Sequence, residues 1–333
     1  MRAVQVPAPG AGFEVVERER PDPGGGEVRL EVAACGVCGG DAAVTEGRPA
    51  VDYPRTPGHE IAGRVDAVGA GVERWAPGDR AAVGWHGGHC FTCGPCRRGE
   101  FLHCENGHVT GVLGDGGYAE FVTAPTEALV PVPRGLDATA AAPLVCAGLT
   151  AYGALRRAAV GAGDVVAVQG VGGVGHLGLQ FAAAMGFETV AVSRGTGKRE
   201  AAVDLGADRY VDAAADDPAA ALRELGGADA VLATAPDADA MADVLGGLAP
   251  GGQLLAVGAP EDPVPFDVAR MLGNRWSVEG QSAGHAGDAA DALDAAVATD
   301  VAPRVETYPL SEVGRAFDRM RSGSVRFRAV LEP

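Results

Sequence analysis

The chain has 333 residues, of which 47% are apolar, and its formal net charge at pH 7 is −17. This length suggests two domains, the negative charge argues against nucleic acid or an anionic membrane as a partner, and no apolar run approaches the roughly 20 residues of a membrane span. The first residues lack the apolar core of a signal peptide. We therefore expect a cytoplasmic, reducing location, where clustered cysteines bind metal rather than form disulfides.

The first predicted elements carry short motifs rich in cysteine and histidine. A strand-like run, EVRLEVA, leads into ACGVCGGDAAV at residues 34–44, and His59 and Glu60 precede a second strand with alternating apolar residues. Taken singly, these residues predict little, because a lone histidine is as typical of capping or packing as of metal binding.

Four cysteines then fall within the segment HGGHCFTCGPCRRGEFLHCEN at residues 86–106, namely Cys90, Cys93, Cys96 and Cys104. In a bacterial ferredoxin run three residues separate the fourth cysteine from the third and a proline follows it, whereas here seven residues intervene. Four thiolates on a short loop can instead enclose zinc in a closed tetrahedral site without catalytic function. The spacing favours structural zinc over four free surface thiols.

The next motifs predict a nucleotide-binding unit. After the apolar segment AAPLVCAGLTAYGAL, which contains Cys146, residues 164–169 read as a strand that ends in a glycine turn and a helix. The turn has the G-x-G-x-x-G pattern and comprises Gly170, Gly172, Gly173, Val174 and Gly175. Its glycines permit a tight turn and close approach to a pyrophosphate, although a structural turn without nucleotide has the same pattern. Further strands alternate with helices, which predicts an α/β doubly wound parallel sheet.

The end of the second strand of this unit indicates which nicotinamide cofactor is bound. An NAD enzyme has Asp or Glu there to bind the ribose 2′-hydroxyl, but this chain has Ser193 and Arg194, with Lys198 following. The basic side chains suit a 2′-phosphate, and the missing carboxylate removes a repulsion. We therefore predict NADP(H), the alternative being a solvated basic loop.

Together these motifs resemble the zinc-dependent medium-chain dehydrogenases, the alcohol dehydrogenase family. The motifs that match are CGVCGGD, GHE, the four-cysteine segment, CAGLTAYGAL and GVGGVG, in family order over essentially the whole chain. The resemblance implies a catalytic zinc bound by Cys38, His59 and Cys146, with Glu60 beside it and Asp41 orienting His59. It thus implies two zinc ions per chain, one catalytic and one structural.

The resemblance also implies a domain organisation. Residues 1–147 are expected to form a GroES-like, partly open β-barrel that contains the structural-zinc lobe, residues 148–282 a Rossmann domain that binds NADP, and residues 283–333 a return to the first domain. Thr150 would lie against the nicotinamide, whereas Cys35 matches no ligand position. A small-molecule substrate and a homodimer or homotetramer are further implications.

One position departs from the family pattern. The family places Ser or Thr two residues after the first zinc cysteine, and often a histidine three residues further on, to relay the alcohol proton, but this chain has Gly40 and Ala43. Three interpretations follow: an alcohol/aldehyde or ketone oxidoreductase with another proton donor, an NADPH-dependent reductase of a conjugated alkene or iminium ion, or a catalytically silent NADP- and zinc-binding protein. For the first, His86 is the leading substitute donor, beside an apolar wall formed by Trp85, although it could equally be a loop histidine with no chemical role.

Overall fold

The structure, a computed structural model, describes residues 1–47 and 51–333. It divides into two compact units: unit 1 comprises Met1–Leu149, Ala283–Val297 and Ala302–Pro333, and unit 2 comprises Thr150–Ser282 and Ala298–Val301. The predicted boundaries at residues 147 and 282 lie close to these limits. Ala298–Val301, however, cluster with unit 2 and not with the predicted C-terminal return.

The described residues form seventeen strands and eleven α-helices. The strands are β1 (Arg2–Gln5), β2 (Glu14–Glu17), β3 (Glu27–Val37), β4 (Ile61–Val68), β5 (Arg80–Val83), β6 (His86–Gly88), β7 (His108–Val109), β8 (Phe121–Pro125), β9 (Leu129–Pro131), β10 (Val165–Gln169), β11 (Glu188–Ser193), β12 (Arg209–Asp212), β13 (Ala228–Ala233), β14 (Leu248–Ala256), β15 (Ser277–Gly280), β16 (Val305–Pro309) and β17 (Arg328–Glu332). The helices are α1 (Ala42–Thr45), α2 (Gly94–Arg97), α3 (Ala138–Pro143), α4 (Leu149–Arg157), α5 (Gly175–Ala184), α6 (Arg199–Asp204), α7 (Pro218–Glu224), α8 (Ala238–Leu245), α9 (Val268–Asn274), α10 (Ala286–Thr299) and α11 (Val313–Arg321).

Unit 1 contains a mainly antiparallel sheet of seven strands. Its order is β16-β17-β3-β4-β5-β9, with β8 paired to β3, and only the β16–β17 pair is parallel. Along β3 the buried residues Val28, Leu30 and Val32 alternate with more exposed ones, because successive side chains of a strand point to opposite faces. The last strand, β17, pairs with the end of β3, with Leu331 opposite Cys35. The C-terminal segment therefore completes the sheet of unit 1.

Unit 2 contains a six-stranded parallel sheet in the order β12-β11-β10-β13-β14-β15. Counted along the unit this order is 3-2-1-4-5-6, which is the doubly wound arrangement of dinucleotide-binding sheets. Strand β10 is buried along its whole length, as a near-continuous apolar run in a parallel sheet should be.

The helical stretch Ala138–Arg157 corrects one expectation from the sequence. It spans 20 residues and is long and apolar enough to cross a membrane by length and composition, so the expectation that no apolar run approaches this length is wrong. However, 72% of its apolar window is buried inside the structure, as in a core helix.

Candidate metal centres and nucleotide site

Neighbouring strand ends bring the predicted catalytic-zinc ligands together in unit 1. Cys38 directly follows β3, and His59 and Glu60 directly precede β4. Because β3 and β4 are antiparallel, with Cys35 opposite Ile61, the end of one strand lies beside the start of the other. Cys146 reaches the same place from a π-helical turn at Leu144–Gly148, a feature that is frequent at functional sites.

The side chains of this cluster fit a tetrahedral metal ion. One ligand atom from each of Cys38, His59, Glu60 and Cys146 lies within 4.8 Å of all the others, and Cys146 Sγ is 3.5 Å from His59 Nε2. Sulfur and nitrogen atoms that share a tetrahedral zinc ion are about 3.6 Å apart, given bonds of about 2.3 and 2.05 Å. The Cys146–His59 pair therefore has the separation that zinc requires, and the ligand atom of Cys38 lies within 4.8 Å of both.

Asp41 orients His59 in the way that the resemblance implies. Asp41 Oδ1 lies 2.9 Å from His59 Nδ1, and both side chains are almost completely buried. Since an ionised carboxylate only accepts hydrogen bonds, Nδ1 donates and the lone pair of Nε2 faces the cysteine sulfurs.

Glu60, a member of the cluster, also forms a buried ion pair with Arg328 that the sequence did not predict. Arg328 Nη2 donates to Glu60 Oε1 at 2.5 Å and to the Val37 carbonyl at 3.2 Å, whereas Glu60 Oε2 has no hydrogen-bond partner. Burial raises the pKa of Glu60 to about 7, although Arg328 opposes this shift. A carboxylate oxygen left free beside two cysteines and a histidine is consistent with a cation at this position.

The cluster also favours the thiolate form of Cys38. A hydrogen bond from Cys146 holds the pKa of the Cys38 thiol well below its ordinary value, although burial acts in the opposite direction. A thiolate, not a thiol, is the form that binds metal.

The four cysteines of the 86–106 segment form the second candidate metal centre among the described residues. Cys104 Sγ lies 3.6 Å from Cys90 Sγ and 3.8 Å from Cys93 Sγ, whereas thiolates on one tetrahedral zinc ion are about 3.8 Å apart. Hydrogen bonds from Thr92 and Asn106 lower the pKa of the Cys90 thiol to about 5. The distances exclude disulfides among these pairs, because a disulfide bond is about 2.05 Å long.

Gly40 and Trp85 lie directly against His59. A Cβ atom built on Gly40 would be 3.0 Å from His59 Cε1 and 3.0 Å from Trp85 Cζ3, and the Trp85 ring meets the His59 ring edge-on with centroids 4.8 Å apart. The indole therefore occupies the space beside Gly40 into which a relay side chain would extend.

His86 lies among other histidines rather than in the ligand cluster. Its ring centroid is 5.1 Å from that of His89 and 6.4 Å from that of His285. Burial lowers the pKa of His86 to about 4, so the ring is neutral at pH 7. These contacts do not support His86 as a proton donor, and its role in a relay stays a prediction.

The glycine turn of unit 2 has the shape of a pyrophosphate cradle. Gly170 has φ +93°, and a Cβ on Gly175 would lie 1.8 Å from the Gly170 carbonyl oxygen, so neither position accepts a side chain. By contrast, a Cβ on Gly172 would meet no atom within 4 Å, and no side chain caps the N-terminus of α5. The turn therefore leaves space at Gly172 beside the uncapped N-terminus of α5, the end of a helix that favours a phosphate.

The basic residues predicted to bind a 2′-phosphate follow β11, which ends at Ser193. Arg194 has a side chain that is 79% exposed, and its Nη1 lies 3.7 Å from Asp237 Oδ2. Lys198 lies at the start of α6, and Thr150 lies in α4, where its contact with a nicotinamide stays a prediction. Sequence reasoning missed Asp237, whose signal is its position as the N-cap of α8.

Comparisons with known proteins agree with this architecture. The family model described as alcohol dehydrogenase GroES-like domain matches residues 24–134, and the model described as zinc-binding dehydrogenase matches residues 173–298. Alcohol dehydrogenase notN from Aspergillus sp. (strain MF297-2) is 42% identical over 309 residues, which cover 93% of this chain and 91% of the relative.

Solved structures show the same fold over the whole chain. An NAD-dependent alcohol dehydrogenase has a TM-score of 0.92 at 30% identity, with 100% of both chains covered. CAD from Helicobacter pylori, complexed with NADP(H), has a TM-score of 0.89 at 26% identity and covers 99% of this chain and 97% of its own. The predicted fold, a GroES-like domain with a Rossmann domain, is thereby confirmed. The chain belongs to the zinc-binding, medium-chain alcohol dehydrogenase family and is an oxidoreductase.

Proposed function

We propose that this protein is a zinc-dependent, NADP-preferring oxidoreductase that transfers hydride between NADP(H) and an alcohol/aldehyde or ketone substrate. The observation that carries the proposal is the convergence of Cys38, His59 and Cys146, from three distant parts of the chain, at distances that suit one tetrahedral ion. Zinc bound there supplies Lewis-acid polarisation of a substrate oxygen, and the nicotinamide supplies or accepts the hydride.

The protein's own residues would prepare this centre in three ways. Cys38 is already favoured as a thiolate, whereas the hydrogen bond to Cys38 and burial raise the pKa of the Cys146 thiol, so Cys146 would lose its proton on binding zinc. Two thiolates would then neutralise the charge of the divalent ion. His59 is held with Nε2 toward the sulfurs by Asp41. Three protein ligands leave the fourth tetrahedral position for substrate, as a catalytic rather than a structural zinc site requires. The four cysteines at positions 90–104 would hold the second, structural ion.

The preference for NADP(H) is supported by the chain's own residues rather than by its neighbours, since one of the solved structures above is NAD-dependent and the other holds NADP(H). Arg194 follows β11 at the position where an NAD enzyme has an acid. Its ion pair with Asp237 is long and largely exposed, so it is weak and a phosphate can compete with it.

A second candidate function is supported by the position of Gly40. No hydroxyl stands two residues after Cys38, and the Trp85 ring crowds the space in which one would lie. Reduction of a conjugated alkene or an iminium ion needs no such hydroxyl. We therefore keep an NADPH-dependent reductase of these substrates as the alternative, and a catalytically silent binding protein as a third outcome.

The deciding experiment measures NADPH oxidation by the full-length protein with three panels: aldehydes and ketones, enones, and cyclic imines. Zinc content per chain is measured beside it for the wild type, Cys38→Ser and the matched control Cys35→Ala, whose thiol is buried but belongs to neither cysteine cluster. We expect two zinc ions in the wild type and the control, and one in Cys38→Ser.

Each result has a distinct meaning. Turnover of the first panel that is abolished in Cys38→Ser, with NADPH binding intact, supports the proposal, and turnover confined to the enone or imine panel supports the alternative. Tight NADPH binding without turnover of any panel would indicate a silent protein. Full activity in Cys38→Ser would contradict the proposed zinc site.

A further inference from the structure

The Asp41 carboxylate is the point at which the parts of the candidate catalytic site are joined. Its Oδ1 lies 2.9 Å from His59 Nδ1 and accepts from the Gly58 backbone N–H at 3.3 Å. Its Oδ2 accepts from the Cys38 backbone N–H at 3.0 Å and from the Tyr118 hydroxyl at 2.7 Å. Asp41 thus contacts the His59 ring, the backbone N–H of the residue before it and the backbone N–H of Cys38. The fourth donor, the Tyr118 hydroxyl, comes from a distant part of the chain.

Tyr118 is itself held in place on both sides. Its side chain is fully buried, its backbone N–H donates to the Pro57 carbonyl at 3.0 Å, and its carbonyl accepts from Val4 at 2.7 Å. Its ring occupies space left by a glycine, because a Cβ on Gly58, which has φ +102°, would lie 2.5 Å from Tyr118 Cδ1. The phenol therefore reaches Asp41 from a fixed position.

We propose that Tyr118 is a positioning residue for the catalytic zinc. Without the phenol, Oδ2 keeps only the Cys38 N–H, and the carboxylate is free to rotate away from His59 and from the turn that carries Cys38. With it, both oxygens have two donors, so the imidazole and the Cys38 turn are held in the geometry that binds the ion. This inference rests on the proposed function, since it presupposes zinc at Cys38, His59 and Cys146.

The size of the effect follows from the kind of bond. A hydroxyl that donates to a buried carboxylate makes a charge-assisted hydrogen bond, which is among the stronger ones in proteins. Removing a partner that orients a metal-binding histidine typically weakens metal affinity by about 10- to 100-fold. Tyr118 is one hydrogen bond further from the ion than Asp41. We therefore expect its removal to weaken zinc affinity by about tenfold, the lower end of that range.

The test compares Tyr118→Phe with Tyr308→Phe in the full-length protein. Tyr308 is a matched control because it is also buried and its hydroxyl donates to a carboxylate, Glu306 Oε2, at 2.9 Å. Zn²⁺ affinity is measured by competition with a chromogenic chelator, and the visible spectrum is recorded after Co²⁺ replaces zinc. Tyr118→Phe should bind one of its two Zn²⁺ ions about tenfold more weakly and show altered Co²⁺ bands, and Tyr308→Phe should match the wild type.

Several outcomes would overturn the inference. Wild-type affinity and wild-type Co²⁺ bands in Tyr118→Phe would do so. A loss of stability that is equal with and without the metal ion at the Cys38 site would also do so, since it marks a purely structural role. In an Asp41→Asn background the added Tyr118→Phe change should weaken Zn²⁺ binding by no more than about twofold, because the carboxylate through which it acts is gone. If the wild type binds only the ion held by Cys90 and its three partner cysteines, the proposed function itself fails.

Discussion

Alanine in place of Gly40 should destabilise unit 1, although the change adds only one methyl group. The new Cβ would lie 3.0 Å from atoms of both His59 and Trp85, inside the 3.4–4 Å of ordinary van der Waals contact. His59 is held by Asp41 and cannot give way without losing a 2.9 Å hydrogen bond. The Trp85 ring must therefore move by a few tenths of an ångström, against its packing on His59.

The magnitude can be judged against a neighbouring glycine in the same turn. Overpacking a tight site costs about 1–3 kcal/mol, and we expect about 1–2 kcal/mol for Gly40→Ala. A Cβ on Gly39 would meet no atom within 4 Å, so Gly39→Ala should be neutral or stabilising by about 0.4–1 kcal/mol, because alanine restricts the unfolded chain. Gly40→Ser has the same Cβ and should lose stability like Gly40→Ala rather than restore an efficient relay.

The assay is denaturant unfolding of the zinc-loaded variants, with tryptophan fluorescence as the signal. In a Trp85→Ala background the contact with the indole is gone and only the contact with His59 remains, so the cost of Gly40→Ala should fall. A double-mutant cycle measures this fall as a coupling of about 1 kcal/mol. Equal stability of Gly40→Ala and Gly39→Ala, or no coupling between Gly40→Ala and Trp85→Ala, would refute this reasoning. The indole would then not occupy the space into which a side chain at position 40 extends.

Three further predictions concern other parts of the chain. Cys93→Ser should lower the melting temperature and remove one zinc ion, while the folded fraction keeps its activity. The control Thr92→Ser retains the hydroxyl and should keep both the melting temperature and the zinc content of the wild type. Loss of activity in Cys93→Ser with an unchanged melting temperature would contradict a structural site. Arg194→Ala should reduce kcat/KM for NADPH by about tenfold, the value of one charge-assisted contact to phosphate, and leave kcat/KM for NADH unchanged. An unchanged ratio of kcat/KM for NADPH to that for NADH would argue against NADP preference. Burial lowers the pKa of His86 to about 4, so its neutral form suits the fold above pH 6.5, and stability is lost as the pH falls from about 6.5 to about 4. The melting temperature of His86→Gln should therefore fall less than that of the wild type over this range. Identical pH profiles of the two proteins would exclude the effect.

Much of the candidate site could be predicted because its signals are local in the sequence. The four cysteines at positions 90–104 lie close together along the chain, so their spacing alone limits what they can bind. The glycine turn after β10 is equally local, since only glycine tolerates the backbone at Gly170 and the contact at Gly175. Cys38 and His59, which flank the strands β3 and β4, could be predicted as metal ligands only from the family pattern. Neither short segment contains a signal that identifies the other ligands of the same ion.

The contacts that join distant segments were decided only by the tertiary structure. Glu60 and Arg328 are separated by 268 positions and Asp41 and Tyr118 by 77, and no periodicity or spacing links such pairs. The sequence showed that a hydroxyl is missing at position 40, but only the packed structure shows that an indole fills the space beside it. Residue types and spacing determine which ligands are available; which buried side chains orient them depends on how sheet pairing and core packing bring separate segments into contact.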